Sequence, residues 1–355
     1  MVLHIFTQVA DYALEFIRLL DEKFKPSDHV IVFRNKSRRE ILEGRFQVKI
    51  LFLETKKELV TNMPSLLKSA DRIVFHSFPV SRSLFFWYRY RKYCSKGVWS
   101  VWGQDAYWYN FCEKTLENRL YEWIRTRLIR RMHIIFCPIR GDYDFICDHY
   151  KTKATYQPGM YPIPTDFDAL RRIQNKTEKN EIIHIQVGNS SNPTNNTIEI
   201  IHYLARNMGG KCLVFCPVSY GDEEYAKTVI DYGNKELGDR FYPMTTFLDR
   251  EQYASFVASV DILIMNHQRQ QGLGNIFSYL YLGKKVYIRS DNSSFQFFEE
   301  HGIKVYDTRA LLLEKDSAGL TERDPQVSKK NREQTEKIVS LETIAPGWAK
   351  VFNRK

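Results

Sequence analysis

No stretch of about 18 uncharged apolar residues occurs in the 355-residue chain, so no membrane-spanning helix is expected. Met1–Gln8 reads as a first strand without a basic segment before it, so no secretory signal is expected. The cysteines Cys94, Cys112, Cys137, Cys147, Cys212 and Cys216 form no Cys-x-x-Cys pair and no paired framework. Reduced thiols, several of them buried in apolar segments, and a cytoplasmic setting are therefore expected. There is no lysine-bearing P-loop, no Gly-x-Gly-x-x-Gly, no Gly-x-Ser-x-Gly elbow, and no His or Cys cluster with zinc spacing. Internal repeats and low-complexity tracts are absent as well.

What is there is a folded, globular composition, 43% hydrophobic and 26% charged, in a length that suits two domains. The net charge of +10 is uneven: between Val80 and Ile135 stand 11 Lys/Arg against 4 acidic residues. The same stretch holds Phe85–Tyr88, Trp99, Trp102, Tyr107–Tyr109 and Trp123. Basic residues among aromatics fit three situations: a helix with a core side and a solvated side, an anionic membrane surface, or single-stranded nucleic acid.

Short apolar runs alternate with helical patterns along both halves. Val2–Phe6, His29–Phe33, Val48–Leu53, Arg72–His76, Val98–Trp102 and His133–Cys137 read as strands of the first half. Ile182–Val187, Cys212–Cys216, a strand near Phe241, Val260–Asn266, Lys285–Ile288 and Ile303–Tyr306 follow in the second. The alternation predicts α/β domains with parallel sheets covered by helices, and in such sheets ligands sit beyond the carboxyl ends of the strands. Between them the pattern breaks at Gln157–Pro164, with its three prolines and a glycine. The expected organisation is a Rossmann-like domain over residues 1–155, a linker over 156–180, a second Rossmann-like domain over 181–335 and a helical tail over 336–355.

Two loops of the second half carry anion-binding chemistry. Gln268–Asn275 joins a strand to a helix and contains Arg269, Gln270, Gln271, Gly272, Gly274 and Asn275. Its glycines let the backbone approach a ligand, the helix start offers N–H groups, and Arg269 offers a forked cation. Gly188, Asn189, Ser190 and Asn195 occupy the corresponding loop after Val187, where ordinary turn and cap chemistry would use the same residues. Two such loops converging on a diphosphate account for both. Nucleic-acid binding does not explain them, so no nucleic-acid partner is expected. In the first half His76 ends a strand and Asp105 lies just past another, among Trp102 and Tyr107. Asp105 is a candidate general base or, alternatively, a helix cap; His76 is a second catalytic candidate or a structural histidine. Asp142-x-Asp144 and Asp166-x-Asp168 fit the metal-diphosphate spacing, a match that short motifs also produce by chance.

Trp99–Tyr107, Val187–Ser190, Pro217–Tyr220 and Arg269–Gly274, with His76, Arg140–Asp142 and Gln252–Tyr253, together resemble the TDP-N-acetylfucosamine:lipid II N-acetylfucosaminyltransferase family, glycosyltransferase family 56. The resemblance implies a GT-B fold, two Rossmann-like domains facing across a cleft, with donor in the second and acceptor in the first. It implies a glycosyltransferase with no cofactor and no obligatory metal. The partners implied are a nucleotide diphosphate sugar, an undecaprenyl-diphosphate-linked saccharide acceptor and the anionic inner face of the cell membrane. It adds Tyr220 to the donor set, and Arg140 to Trp102 and Tyr107 as acceptor residues. The sequence departs from the family at His76-Ser-Phe, where His-Gly-Gln-Phe is familiar, and at Asn275, where threonine is familiar. Donor sugar, acceptor, and inversion or retention stay open, and a nucleotide-sugar epimerase on the same architecture is the nearest rival.

Overall fold

The apolar runs are long enough to be strands and too uniformly apolar to leave a face in water, so they end up between helix layers. In a computed structural model of the chain, they form two all-parallel sheets, one in each of two units, Met1–Pro164 with Val339–Lys355 and Thr165–Ile338. The structure describes residues 1–42, 44–174, 182–314 and 318–353.

The first unit has strands β1 (Val2–Phe6), β2 (His29–Phe33), β3 (Lys49–Phe52), β4 (Arg72–His76), β5 (Gly97–Ser100), β6 (Ile134–Cys137) and β7 (Thr155–Pro158). Their spatial order is β3-β2-β1-β4-β5-β6-β7. The chain therefore winds one way from β1 to β3 and the other way from β4 onward, leaving a topological switch point between β1 and β4. Leu3 and Ile5 enter the core on one side of the sheet, and Val2 and Phe6 that on the other. The second core is closed by the last helix, Leu341–Phe352, through Ile344, Trp348 and Val351. The segment read from sequence as a tail thus divides: helix Pro325–Val339 lies almost wholly in the second unit, and the last helix completes the first.

The linker read over 156–180 begins inside β7, an edge strand paired with β6 from Ile134↔Thr155 to Cys137↔Pro158. Pro158 can end an edge strand because no ladder partner needs its missing N–H. Residues 175–180 of that segment lie outside the described residues.

The second unit repeats the plan with β8 (Ile183–Val187), β9 (Cys212–Pro217), β10 (Phe241–Met244), β11 (Ile262–Met265), β12 (Lys285–Ile288) and β13 (Tyr306–Asp307), in the order β10-β9-β8-β11-β12-β13. Its switch point lies between β8 and β11. The cysteines are free thiols, and burial pushes Cys94 up to about 12.

Candidate active site

β8 and β11 are neighbours, so the loops that leave them lie side by side at the switch point. Gly188 opens the first loop at φ +69, a left-handed turn that favours glycine, and its N–H donates to the Ile264 carbonyl at 2.9 Å. Gln271 ties the second loop to the first: its Nε2 donates to Asn189 Oδ1 and Asn195 Oδ1, each at 2.9 Å, and lies 3.2 Å from Ser190 Oγ. Asn195 in turn donates to the Ser190 carbonyl at 2.6 Å. A side chain cross-linking two loops holds their backbone groups in fixed directions before any ligand arrives, which lowers the entropic cost of binding.

Gly272 caps the helix Leu273–Tyr281 at φ +67 and, having no side chain, leaves the first helix N–H groups without a bond from the cap residue. A Cβ at Gly272 would fall 2.6 Å from Met265 Cε and 3.3 Å from Asn189, so only glycine brings the helix start this close to the first loop. Arg269 is buried within the second loop, and its Nη1 donates to the Gln270 carbonyl at 3.0 Å. Burial, then the charge of Arg269, holds neighbouring His267 down to about 3, so this imidazole is neutral. A helix N-terminus and a buried guanidinium in one loop carry the charge that suits an anion.

Beside the loops lies a pocket of about 160 Å³ whose walls include Gln186, Tyr220, Phe247, Tyr253 and Asn275. Asn189 Nδ2 donates to the enclosed Tyr220 hydroxyl at 2.9 Å, while the exposed Tyr220 ring stacks on Phe247 at 5.5 Å. A capping box between Asp249 and Gln252 fixes the start of helix Arg250–Ser259 and presents Tyr253, whose hydroxyl donates to Asn275 Oδ1 at 2.5 Å. Sequence reading missed Gln186, Phe247 and His267. Gln186 had a signal, a lone amide in an apolar strand; it donates to the Gly188 carbonyl at 2.8 Å and accepts from Tyr279.

In the first unit Trp102, Asp105, Tyr107 and Arg140 follow β5 and β6 on the carboxyl edge of the sheet. Trp102 is half-buried, Tyr107 donates to Asp142 Oδ1 at 2.7 Å, and exposed Arg140 pairs with Asp144 at 2.8 Å. Asp142 and Asp144 therefore serve different partners, and Asp166 accepts from the Ala169 N–H. Among the described residues no group of three or more His, Cys, Asp or Glu could hold a metal ion.

Both catalytic candidates are enclosed by partners. Asp105 is buried, with Oδ2 accepting from Phe78 N at 2.8 Å and Trp99 Nε1 at 2.6 Å, and Oδ1 accepting from Trp102 N at 2.9 Å. Gly103, not Asp105, caps the helix Gln104–Phe111. The carboxylate fastens the loops after β4 and β5 together, next to Ser77 at φ +67. His76 is fully buried, stacked on Phe6 at 3.8 Å and hydrogen-bonded to His4 and Tyr161. Arg125, counted from sequence among the surface cations, is also fully buried; it donates to the carbonyls of Phe78, Pro79 and Asp105 and braces the same loops.

The sequence profile described as 4-alpha-L-fucosyltransferase glycosyl transferase group 56 matches residues 18–336. The chain belongs to this family. Similar solved structures include Anabaena HepE in complex with UDP and glucose, 10% identical, covering 98% of each chain at TM-score 0.72. Sucrose-phosphate synthase from Thermosynechococcus elongatus is 12% identical, covering 99% of this chain and 98% of that one at TM-score 0.67. WaaG, a glycosyltransferase of lipopolysaccharide biosynthesis, is 11% identical, covering 100% of this chain and 96% of that one at TM-score 0.55. At such identities these likenesses establish the fold, which is GT-B. The protein is a glycosyltransferase that uses a nucleotide sugar.

For this group 56 transferase the Asp105 geometry gives a measurable expectation. In Asp105→Asn an amide NH₂ must replace one carboxylate oxygen and confront an N–H donor. Stability of the first unit should fall by about 1.5–3 kcal/mol, the scale for a hydrogen bond to a charged group. All six tryptophans lie in that unit, so urea unfolding followed by tryptophan emission reads it selectively. Unchanged stability with a 10²–10⁴-fold loss of turnover would return Asp105 to the role of base.

Proposed function

We propose that the protein moves a sugar, of the deoxy-amino class found in its family, from a nucleoside diphosphate to a lipid-linked saccharide at the cytoplasmic face of a membrane. The acceptor hydroxyl attacks the anomeric carbon, the bond to the diphosphate oxygen breaks, and the nucleoside diphosphate leaves. Charge builds on that leaving group. Arg269 and the N–H groups at Gly272–Asn275 are the groups built to receive it, with Gly188, Asn189, Ser190, Asn195, Gln270 and Gln271 shaping the cradle. The observation that carries this reading is Gln271 locking both switch-point loops together, with a buried arginine two residues before it. The complex of HepE with UDP and glucose supports a donor of the same class. Trp102, Tyr107 and Arg140 are proposed to meet the acceptor.

Thermal-shift screening of dTDP, UDP and GDP, followed by transfer assays with the corresponding sugars, tests the proposal, because a ligand bound to the native state raises its melting temperature. Transfer should persist in EDTA, since a cationic side chain and helix N–H groups neutralise the diphosphate. Abolition by EDTA with rescue by Mn²⁺ would place a cation in that role.

Membrane attachment rests on the helix Leu116–Ile129. Its inner face buries Tyr121, Ile124, Leu128 and Ile129, yet its outer face exposes Leu116, Leu120 and Trp123 at helical spacing, with Phe85 and Phe111 nearby also exposed. A helix apolar on both faces, with arginines about it, suits lying in a membrane interface. No helix among the described residues is long and apolar enough to cross one. Leu120→Ser with Trp123→Ser should weaken sedimentation with anionic vesicles by at least tenfold. Equal sedimentation of variant and wild type would remove the stripe from the reading.

A further inference from the structure

The basic stretch that sequence reading treated as one surface has an internal structure. Arg91, Arg127, Arg130 and Arg131 line one concavity of about 380 Å³ together with Tyr88. Arg91 comes from the turn Arg91–Lys96 that leads into β5, and Arg130 and Arg131 come from the residues just before β6. The concavity is therefore at the amino edge of the sheet. The loops carrying Asp105 and Tyr107 lie at the opposite edge, separated from it by four-residue strands, about 13 Å.

Three of the four guanidinium groups are held in place. Arg130 Nε donates to the Tyr150 carbonyl at 2.7 Å, Arg91 Nη1 to the Tyr88 carbonyl at 3.0 Å, and Arg127 stacks over the Trp123 ring. No carboxylate lines the concavity, and among the described residues none of the four arginines pairs with one. Four like charges gathered without a counter-charge repel one another, and a multiply charged anion with several acceptor oxygens relieves that repulsion. Trp123 joins this concavity to the exposed apolar stripe that begins at Leu116, so the anion and the interface are reached together.

We infer that these four arginines form a binding site for the phosphate of an anionic phospholipid headgroup, distinct from the transfer site. The inference rests on the membrane reading above. It adds that attachment is not a diffuse attraction of charge but recognition of a phosphate at one end of the helix, which pins the Leu116–Trp123 stripe to the bilayer surface.

The test compares phosphatidylcholine vesicles carrying phosphatidic acid with vesicles brought to the same surface charge by a fatty-acid carboxylate. Wild type should favour the phosphate vesicles. The triple substitution Arg91→Gln, Arg127→Gln, Arg131→Gln should weaken that binding on the order of 100-fold, about fivefold per arginine, with an unchanged melting temperature and inorganic diphosphate competing only against wild type. Binding of the triple variant equal to wild type, or equal preference for both vesicles, overturns the site while leaving membrane attachment standing. Failure of wild type to bind either vesicle removes the membrane reading itself. Tighter binding of a single-stranded oligonucleotide than of phosphate vesicles through the same arginines would overturn the lipid assignment in favour of nucleic acid.

Discussion

Arg269→Ala should lower kcat/KM by about 10²–10³, the range for removing one preorganised group that meets developing charge. The guanidinium is buried, anchored through Nη1 on the Gln270 carbonyl, and belongs to the loop that Gln271 ties to its neighbour. As the anomeric bond breaks, the bridging oxygen gains most of the new charge, so an enclosed cation acts more strongly on the transition state than on the bound donor. Affinity for the product nucleoside diphosphate should also fall, by about 1.5–3 kcal/mol. Arg269→Lys keeps the charge without the fork and should fall between the two, which separates electrostatics from geometry. Calorimetric titration with the diphosphate that finds Arg269→Ala unchanged would move the donor site away from these loops. Emission from the tryptophans reports only the other unit, so loss of activity with an intact emission profile would not arise from unfolding there.

The parallel architecture was legible because both faces of each strand are covered, leaving apolar runs too regular to miss. The place of the two switch-point loops was legible because glycine, amide and arginine side chains stand where strands end. What composition hid was partnership. Arg125 and Arg127 are two residues apart, yet one is wholly buried and the other exposed. Burial of Arg125 depends on three carbonyls from distant loops, and a helical pattern alone does not reveal them. Asp105 lies at the expected edge, but only the fold brings Phe78, Trp99 and Trp102 around it to fill its acceptor positions. β7 was hidden by the prolines that also make it an edge.

His4, His29 and His76 show the same point and lead to the second large effect. They stand 25 and 72 residues apart, and the register Val2↔His29 and Phe6↔His76 places them on one face of neighbouring strands. His4 Nδ1 is 2.9 Å from His76 Nε2, His4 Nε2 is 3.0 Å from His29 Nδ1, and Tyr161 bonds the far nitrogen of His76. Four rings can be linked through these contacts if each neutral imidazole donates once and accepts once. Phe16, Trp348 and Phe352 cover the row. Burial holds all three imidazoles below the usual value, His29 at about 4 despite nearby Asp28, and His4 and His76 well down. The unfolded chain takes up protons at these positions near pH 6.5 and the folded chain does not, so stability is full above pH 6.5 and is lost as pH falls. Each histidine that stays neutral in the native fold withdraws up to about 1.4 kcal/mol per pH unit below 6.5, so the three act in the same direction on a fold of marginal stability. Urea unfolding followed by tryptophan emission should therefore show the first unit losing stability between pH 6.5 and 5, with net uptake of protons on unfolding. His29→Gln should reduce that uptake by one. A stability profile flat from pH 7 to 5 would mean that these imidazoles titrate in the native fold as they do in the unfolded chain, and would overturn the prediction.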